Sequence, residues 1–228
     1  MSLISLIQVR RSHRVAASVA YALDDLSLSV GAGEYLAVTG PSGSGKSTLL
    51  NMLSLLERPD GGELLWAGRP LSRASEEEWH SLRLRHVGYI LQRCHLIERY
   101  NVAQNVDLGL AASGATAGER RERIAAMLDH LDLLQHAELQ PSQLSMGQQH
   151  CVAIARAAVG QPALLLADEP TAQLDSRQAQ QVMRLLKTLN AAGSAVVLAS
   201  HDPAQAAHAM RTIQLERGRI TADALHRP

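Results

Sequence analysis

The strongest constraint on this chain is the stretch Gly40-Pro41-Ser42-Gly43-Ser44-Gly45-Lys46-Ser47, set between the apolar run Tyr35 to Val38 and a helical pattern from Ser47 to Leu56. It satisfies G-x-x-x-x-G-K-[ST], a spacing in which small residues let backbone N–H groups turn inward around phosphate oxygens. Lys46 supplies a flexible positive charge for terminal phosphates and Ser47 a hydroxyl for magnesium, while the start of the following helix, through Thr48, adds a favourable dipole. The plain alternative is a glycine-rich turn. A strand before it and a helix directly after it argue against that alternative.

Two further apolar runs, Leu164 to Ala167 and Val196 to Ala199, read as strands buried on both faces, the pattern of a parallel sheet. Each meets polar chemistry at its end: Asp168-Glu169 after the first and Ser200-His201-Asp202 after the second. Open parallel sheets bind ligands beyond such carboxyl ends, so three segments point at one crevice. One helix is expected to open with Glu76, Glu77 and Glu78, capped by Ser75, and others to run over Gly118 to Leu134 and Ser176 to Asn190 with Gly193 as a stop. The fold expected is α/β: a P-loop NTPase (RecA-like) core with a mostly parallel sheet and a helical subdomain inserted at about residues 93–160. Antiparallel strands near 1–30, 61–67 and 212–221 are expected to cover one side as a β subdomain. The 228 residues suit a single domain over 1–228.

Composition narrows the company this domain keeps. Lys plus Arg and Asp plus Glu both number 22, so no net charge draws the chain to nucleic acid or anionic lipid. The apolar runs all fall short of the ~20 residues needed to span a bilayer, and the N-terminus lacks the charged leading region of a secretory signal. Any membrane association is therefore expected through a partner. Cys94 and Cys151 read as reduced, packing thiols, Trp66, Trp79 and Tyr21 as packing residues, and Arg120, Arg121 and Arg123 as a solvated helix face.

Asp168 fits an acidic residue that holds magnesium, and Glu169, one step further, is placed to orient or deprotonate a water attacking a γ-phosphate. From here the residues carry a family resemblance. Gln92, Leu144-Ser145-Met146-Gly147-Gln148, Asp168-Glu169-Pro170, Leu174-Asp175 and His201 fall in the order and spacing of ABC ATPases over essentially the whole chain. Within that family the chain looks most like the group serving lipoprotein-releasing and MacB-type export machines, through Tyr21-Ala22-Leu23, the loop up to Asn51, and Val152 to Ala157.

The resemblance implies roles. Gln92 would touch magnesium and the attacking water, and relay the nucleotide state to a membrane subunit. Ser145, Gly147 and Gln148 would cap the γ-phosphate of an ATP held by the opposite subunit of a homodimer. Asp175 would communicate across that dimer, and His201 would hydrogen-bond the γ-phosphate. ATP and Mg2+ are the implied cofactors, and an integral membrane permease and a second ATPase subunit the implied partners. The implied location is peripheral, on the cytoplasmic face of the cell membrane.

The sequence departs from the family in two places. Met146 stands where the signature has glycine, followed by His150 and Cys151 in place of glutamine and arginine, so hydrolysis is expected to be slow or partner-dependent rather than lost. His13 occupies the position of the adenine-stacking aromatic, so weak discrimination among nucleoside triphosphates is expected. One alternative reading is an ATP-binding regulatory module, which the presence of Lys46, Asp168, Glu169 and His201 disfavours. A second, a soluble ABC ATPase acting on nucleic acid or ribosomes, lacks its tandem domains, insertions and basic face.

Overall fold

The computed structural model describes residues 2–15 and 18–226, with side chains described for 2–12 and 21–226. Two sheets organise it. β1 (Ser2–Val15) and β2 (Ser18–Gly31) form a long antiparallel hairpin, and β4 (Gly61–Trp66) and the two-residue β5 (Arg69–Pro70) extend it in the order β2-β1-β4-β5. The second sheet contains β3 (Tyr35–Thr39), β6 (Val87–Ile90), β7 (Leu164–Asp168), β8 (Ala195–Ala199), β9 (Arg211–Glu216) and β10 (Arg219–Leu225), ordered β10-β9-β3-β8-β7-β6. All pairings in it are parallel except β9 with β10.

Period-two alternation sends the central strands' side chains into two separate cores. Tyr35, Ala37, Leu165, Ala167, Val196 and Leu198 face one core with α3 (Val102–Asp107), α4 (Ala117–His130), α5 (Met146–Ala158) and α6 (Ser176–Ala191). Leu36, Val38, Leu164, Leu166 and Val197 face the other, with α1 (Lys46–Leu53), Trp79 of α2 (Glu76–His86) and the antiparallel sheet. Each of these fully buried Leu and Val side chains contributes about 2 kcal/mol relative to exposure. That double burial is why the strands read as continuous apolar runs. A short α7 (Pro203–Ala206) follows β8.

Two of the expected helices, one packed in each core, end differently from their apolar patterns. α1 stops at Leu53, short of Leu56, because Leu55 adopts a left-handed conformation at φ 61. α4 stops at His130, short of Leu134, and Asp132 at φ 56 makes the turn. Between residues 93 and 160 the described backbone is helical or irregular, with no strand. The stretch 212–221 does not cover the antiparallel side as expected. β9 runs parallel beside β3, pairing Leu36 with Arg211 and Thr39 with Gln214, so that Ile213 and Leu215 are fully buried. Alternation reveals a half-buried strand but not which edge receives it.

Three packing assignments also sort out here. Trp79 is buried and its indole N–H donates to the Leu55 carbonyl at 2.6 Å, while Trp66 is buried on β4. Tyr21, read as a packing residue, is instead 55% exposed at the end of the hairpin. Arg120 is no free surface charge: its guanidinium grips the Asp107 carboxylate at 2.7 and 2.5 Å, tying α4 to α3. Among the described residues, no helix is long and apolar enough to cross a membrane.

Candidate functional site

The expected phosphate loop is the turn between β3 and α1. Gly40 (φ 144) and Gly45 (φ 108) hold conformations that side chains rarely adopt, and a Cβ on either would strike backbone oxygen, of Leu215 and Ala22 respectively. The loop therefore lies tight against β9 and β2. Gly45 is the N-cap of α1, and without a capping side chain the first-turn N–H groups face outward. Lys46 Nζ donates to the Gly40 carbonyl at 2.7 Å and the Pro41 carbonyl at 3.0 Å. Its ammonium thus lies over the cradle, held by oxygens that phosphate oxygens can replace.

Parallel register sets the acidic pair beside this loop, because β8 lies between β3 and β7. Asp168 pairs with Ala199 at the carboxyl end of β7 and is buried. Burial pushes its carboxyl above the ordinary range, partly offset by the Ser47 hydroxyl; Glu169 raises it further and Lys46 lowers it. Glu169 follows in a left-handed conformation at φ 49, with its N–H donating to the Ala199 carbonyl at 3.0 Å. For a non-glycine residue this is a strained backbone, held by sheet pairing.

His201, just past β8, donates its backbone N–H to Glu169 Oε1 at 3.1 Å, and its Nδ1 lies 2.7 Å from the same oxygen. That hydrogen bond, together with the carboxylate's charge, raises the imidazole pKa above its ordinary value. The ring is largely exposed and so open to a ligand above the sheet. Gln92 leaves the end of β6, whose Ile90 pairs with Ala167, and it is exposed on the same side.

The signature residues lie elsewhere. Among the described residues, no hydrogen bond or ion pair joins 145–148 to 40–48. Ser145 is the N-cap of α5 in a reciprocal box: its hydroxyl accepts from Gln148 N at 3.3 Å, and Gln148 Oε1 accepts from Ser145 N at 2.9 Å. Met146 is the first helical residue, absent from the positive-φ positions and 61% exposed. Of the two reasons a glycine might stand there, a left-handed backbone is thus removed and only close approach of a ligand remains. Asp175 caps α6, accepting from Gln178 N at 2.8 Å, and a Cβ on Gly147 would press on Gln178.

The two other departures pack inward. His150 is 0% exposed, its Nδ1 lies 3.5 Å from Cys94 Sγ, and burial lowers its pKa. Cys151 is buried and Cys94 half-buried, both as free thiols. His13 pairs with Ala20 across the hairpin, and its side chain, expected to meet adenine, lies outside what is described.

Reading by motif passed over Thr171 and Gln205, which belong to the same edge: Gln205 Nε2 donates to Thr171 Oγ1 at 2.7 Å. No spacing in the sequence announces that bond, since it joins the turn after β7 to α7, 34 residues further on.

A parallel sheet that sends its loops to one edge, with a glycine cradle at the first, defines a P-loop ATPase. The family model described as ABC transporter matches residues 23–172, and the chain belongs to that family. It is 43% identical over 224 residues to the macrolide export ATP-binding/permease protein MacB of Burkholderia pseudomallei (strain 1710b), covering 98% of this chain and 34% of that protein. The MacB protein of Bordetella avium (strain 197N) is 43% identical over 221 residues, again 34% of its length. The chain thus spans about a third of the curated relatives it matches. Among solved structures, the dimeric post-hydrolysis state of the ATP-binding cassette MJ0796 bound to ADP and Pi superposes with a TM-score of 0.93 at 34% identity, covering 99% of both chains. An ATP-binding subunit of an ABC transporter gives 0.85 at 25%, covering 98% of this chain and 90% of that one.

Proposed function

We propose that this chain is the ATP-hydrolysing cassette of a MacB- or lipoprotein-release-type export machine, one ATPase domain with its helical subdomain at 93–160. Two copies close head to tail on two ATP molecules and drive an integral membrane permease from the cytoplasmic face of the membrane. The observation that carries the reading is the Glu169–His201 pair at 2.7 Å, beside the buried Asp168 and the Lys46 loop.

The placement of these residues supports the following roles. Lys46, the loop amides of Gly40 to Thr48 and the start of α1 bind the phosphates. His201 holds one oxygen of Glu169, leaving the other for a water, which Glu169 orients for in-line attack and whose proton it accepts. Ser145, Gly147 and Gln148, with the capped start of α5, complete the site of the opposite copy, and Asp175 lies at the contact between copies. Gln92 passes the state of the site toward the permease.

Magnesium fits the donor set. A buried carboxylate with no ion-pair partner among the described residues stands beside a hydroxyl, hard oxygen donors short of a cation. Asp168 and Ser47, with Gln92, would hold it, and when bound it neutralises charge on the phosphates. His13 is the proposed adenine contact, checked by competition of GTP against ATP.

Replacing Glu169 by Gln tests the reading. Expected are retained ATP binding, hydrolysis lower by at least about 100-fold, and a nucleotide-dependent dimer visible by size exclusion. Hydrolysis at the parent rate would remove Glu169 from the reaction and the reading with it.

A further inference from the structure

Between the ends of β7 and β8 runs a hydrogen-bond path that the reaction as described does not use. Gln205 Nε2 donates to Thr171 Oγ1 at 2.7 Å and to Asp202 Oδ2 at 3.1 Å. An ionised carboxylate only accepts, so the contact with Asp202 fixes which end of the amide is nitrogen. The carbonyl Oε1 therefore points to Ser200, whose Oγ lies 3.3 Å away.

Ser200 is the contested group. Its hydroxyl accepts from the Asp202 N–H at 3.1 Å and lies 3.4 Å from Glu169 Oε2. The side chain is buried, and a hydroxyl carries one hydrogen, so it serves Gln205 or Glu169 but not both at once. Glu169 Oε1 already accepts twice from His201, at 3.1 and 2.7 Å. Oε2 is the oxygen left to meet water, and a Ser200 hydrogen turned toward it would occupy one of its lone pairs.

We propose that Gln205 is a positioning residue for ATP hydrolysis: its carbonyl holds the Ser200 hydroxyl hydrogen away from Glu169 Oε2, keeping that oxygen free for the attacking water. Its amide N–H groups do a second job in the same geometry, pinning the Thr171 turn after Glu169 to the loop that carries His201. Gln205 touches neither nucleotide nor water; it acts through Ser200. The inference rests on Glu169 acting on water, as proposed above.

A double-mutant cycle separates this from mere support of the loop. Parent, Gln205→Leu, Ser200→Ala and the double variant are compared for kcat, for KM and for Mg-ATP affinity by calorimetry, with Glu169→Gln as a control. Gln205→Leu should lower kcat about fivefold while leaving KM and ATP affinity near the parent values. In the Ser200→Ala background the same change should cost much less, because the hydrogen it releases is gone. An unchanged kcat, a loss carried by KM, or an equal fold loss in both backgrounds overturns the inference. Should Gln205→Leu not fold, Gln205→Asn, which withdraws the amide from Ser200, is read in its place against the same criteria. Hydrolysis by Glu169→Gln at the parent rate would remove the underlying function, whereas an inactive Glu169→Gln beside a fully active Gln205→Leu removes this inference alone.

Discussion

The phosphate-loop edge and the signature helix start are both expected to touch ATP, yet they are built in opposite ways. The first is tight and strained: Gly40 at φ 144, Gly45 at φ 108, Glu169 at φ 49 and a buried Asp168 raised by desolvation. The second is an exposed helix start closed by its own capping box. The difference teaches where substitution is tolerated. A position whose backbone or surroundings admit only one residue type cannot drift, whereas Met146, helical and exposed, disturbs nothing inside its own subunit.

The sharpest way to break this comparison is Gly40→Ala. A methyl there meets the Leu215 carbonyl in a backbone conformation alanine avoids, so chemical denaturation should show a loss of about 3 kcal/mol, with nucleotide binding lost as well. A variant as stable as the parent would mean the loop is slack after all. Ser145→Ala should cost about 1 kcal/mol, the worth of an N-cap, and leave ATP binding to the isolated subunit intact. A loss of binding by the monomer would merge the two regions.

Smaller still is Met146→Gly, which should raise turnover about threefold, ~0.6 kcal/mol of barrier, by clearing the approach of a ligand to α5. An unchanged or lower rate in a steady-state assay counts against the idea that the thioether obstructs. The finest test concerns pH. Because Glu169 raises the His201 pKa, the protonated ring's contribution is complete below the unfolded value of 6.5 and disappears as pH climbs through the higher folded value. The melting-temperature gap between the nucleotide-free parent and His201→Gln should therefore be widest below the ordinary histidine value of 6.5 and shrink as pH rises past it. A gap independent of pH would show that the 2.7 Å contact is not an ion pair.

Strain, unlike pattern, leaves no mark in a sequence. The apolar runs of β3, β7 and β8 were legible because both faces of those strands are buried, and the loop because phosphate chemistry dictates glycine spacing. β6 escaped notice, being four residues long with Gly88 and Tyr89 inside it. The place of β9 escaped because pairing is decided by tertiary packing rather than by the strand's own alternation. Glu169, Asp168 and His201 were nameable from order along the chain, but that both His201 donors share one oxygen of Glu169 is a fact of geometry. Gln205 had no signal at all.

The reciprocal box at Ser145 bears on how quickly two copies could find each other. The helix start is already folded when alone, with Ser145 and Gln148 exchanging two bonds, so no segment has to be frozen at encounter. The serine's oxygen accepts from Gln148 N, and its own hydrogen stays available for an incoming phosphate. Docking would then be governed by diffusion and by the presence of nucleotide, not by the entropy of ordering a loop.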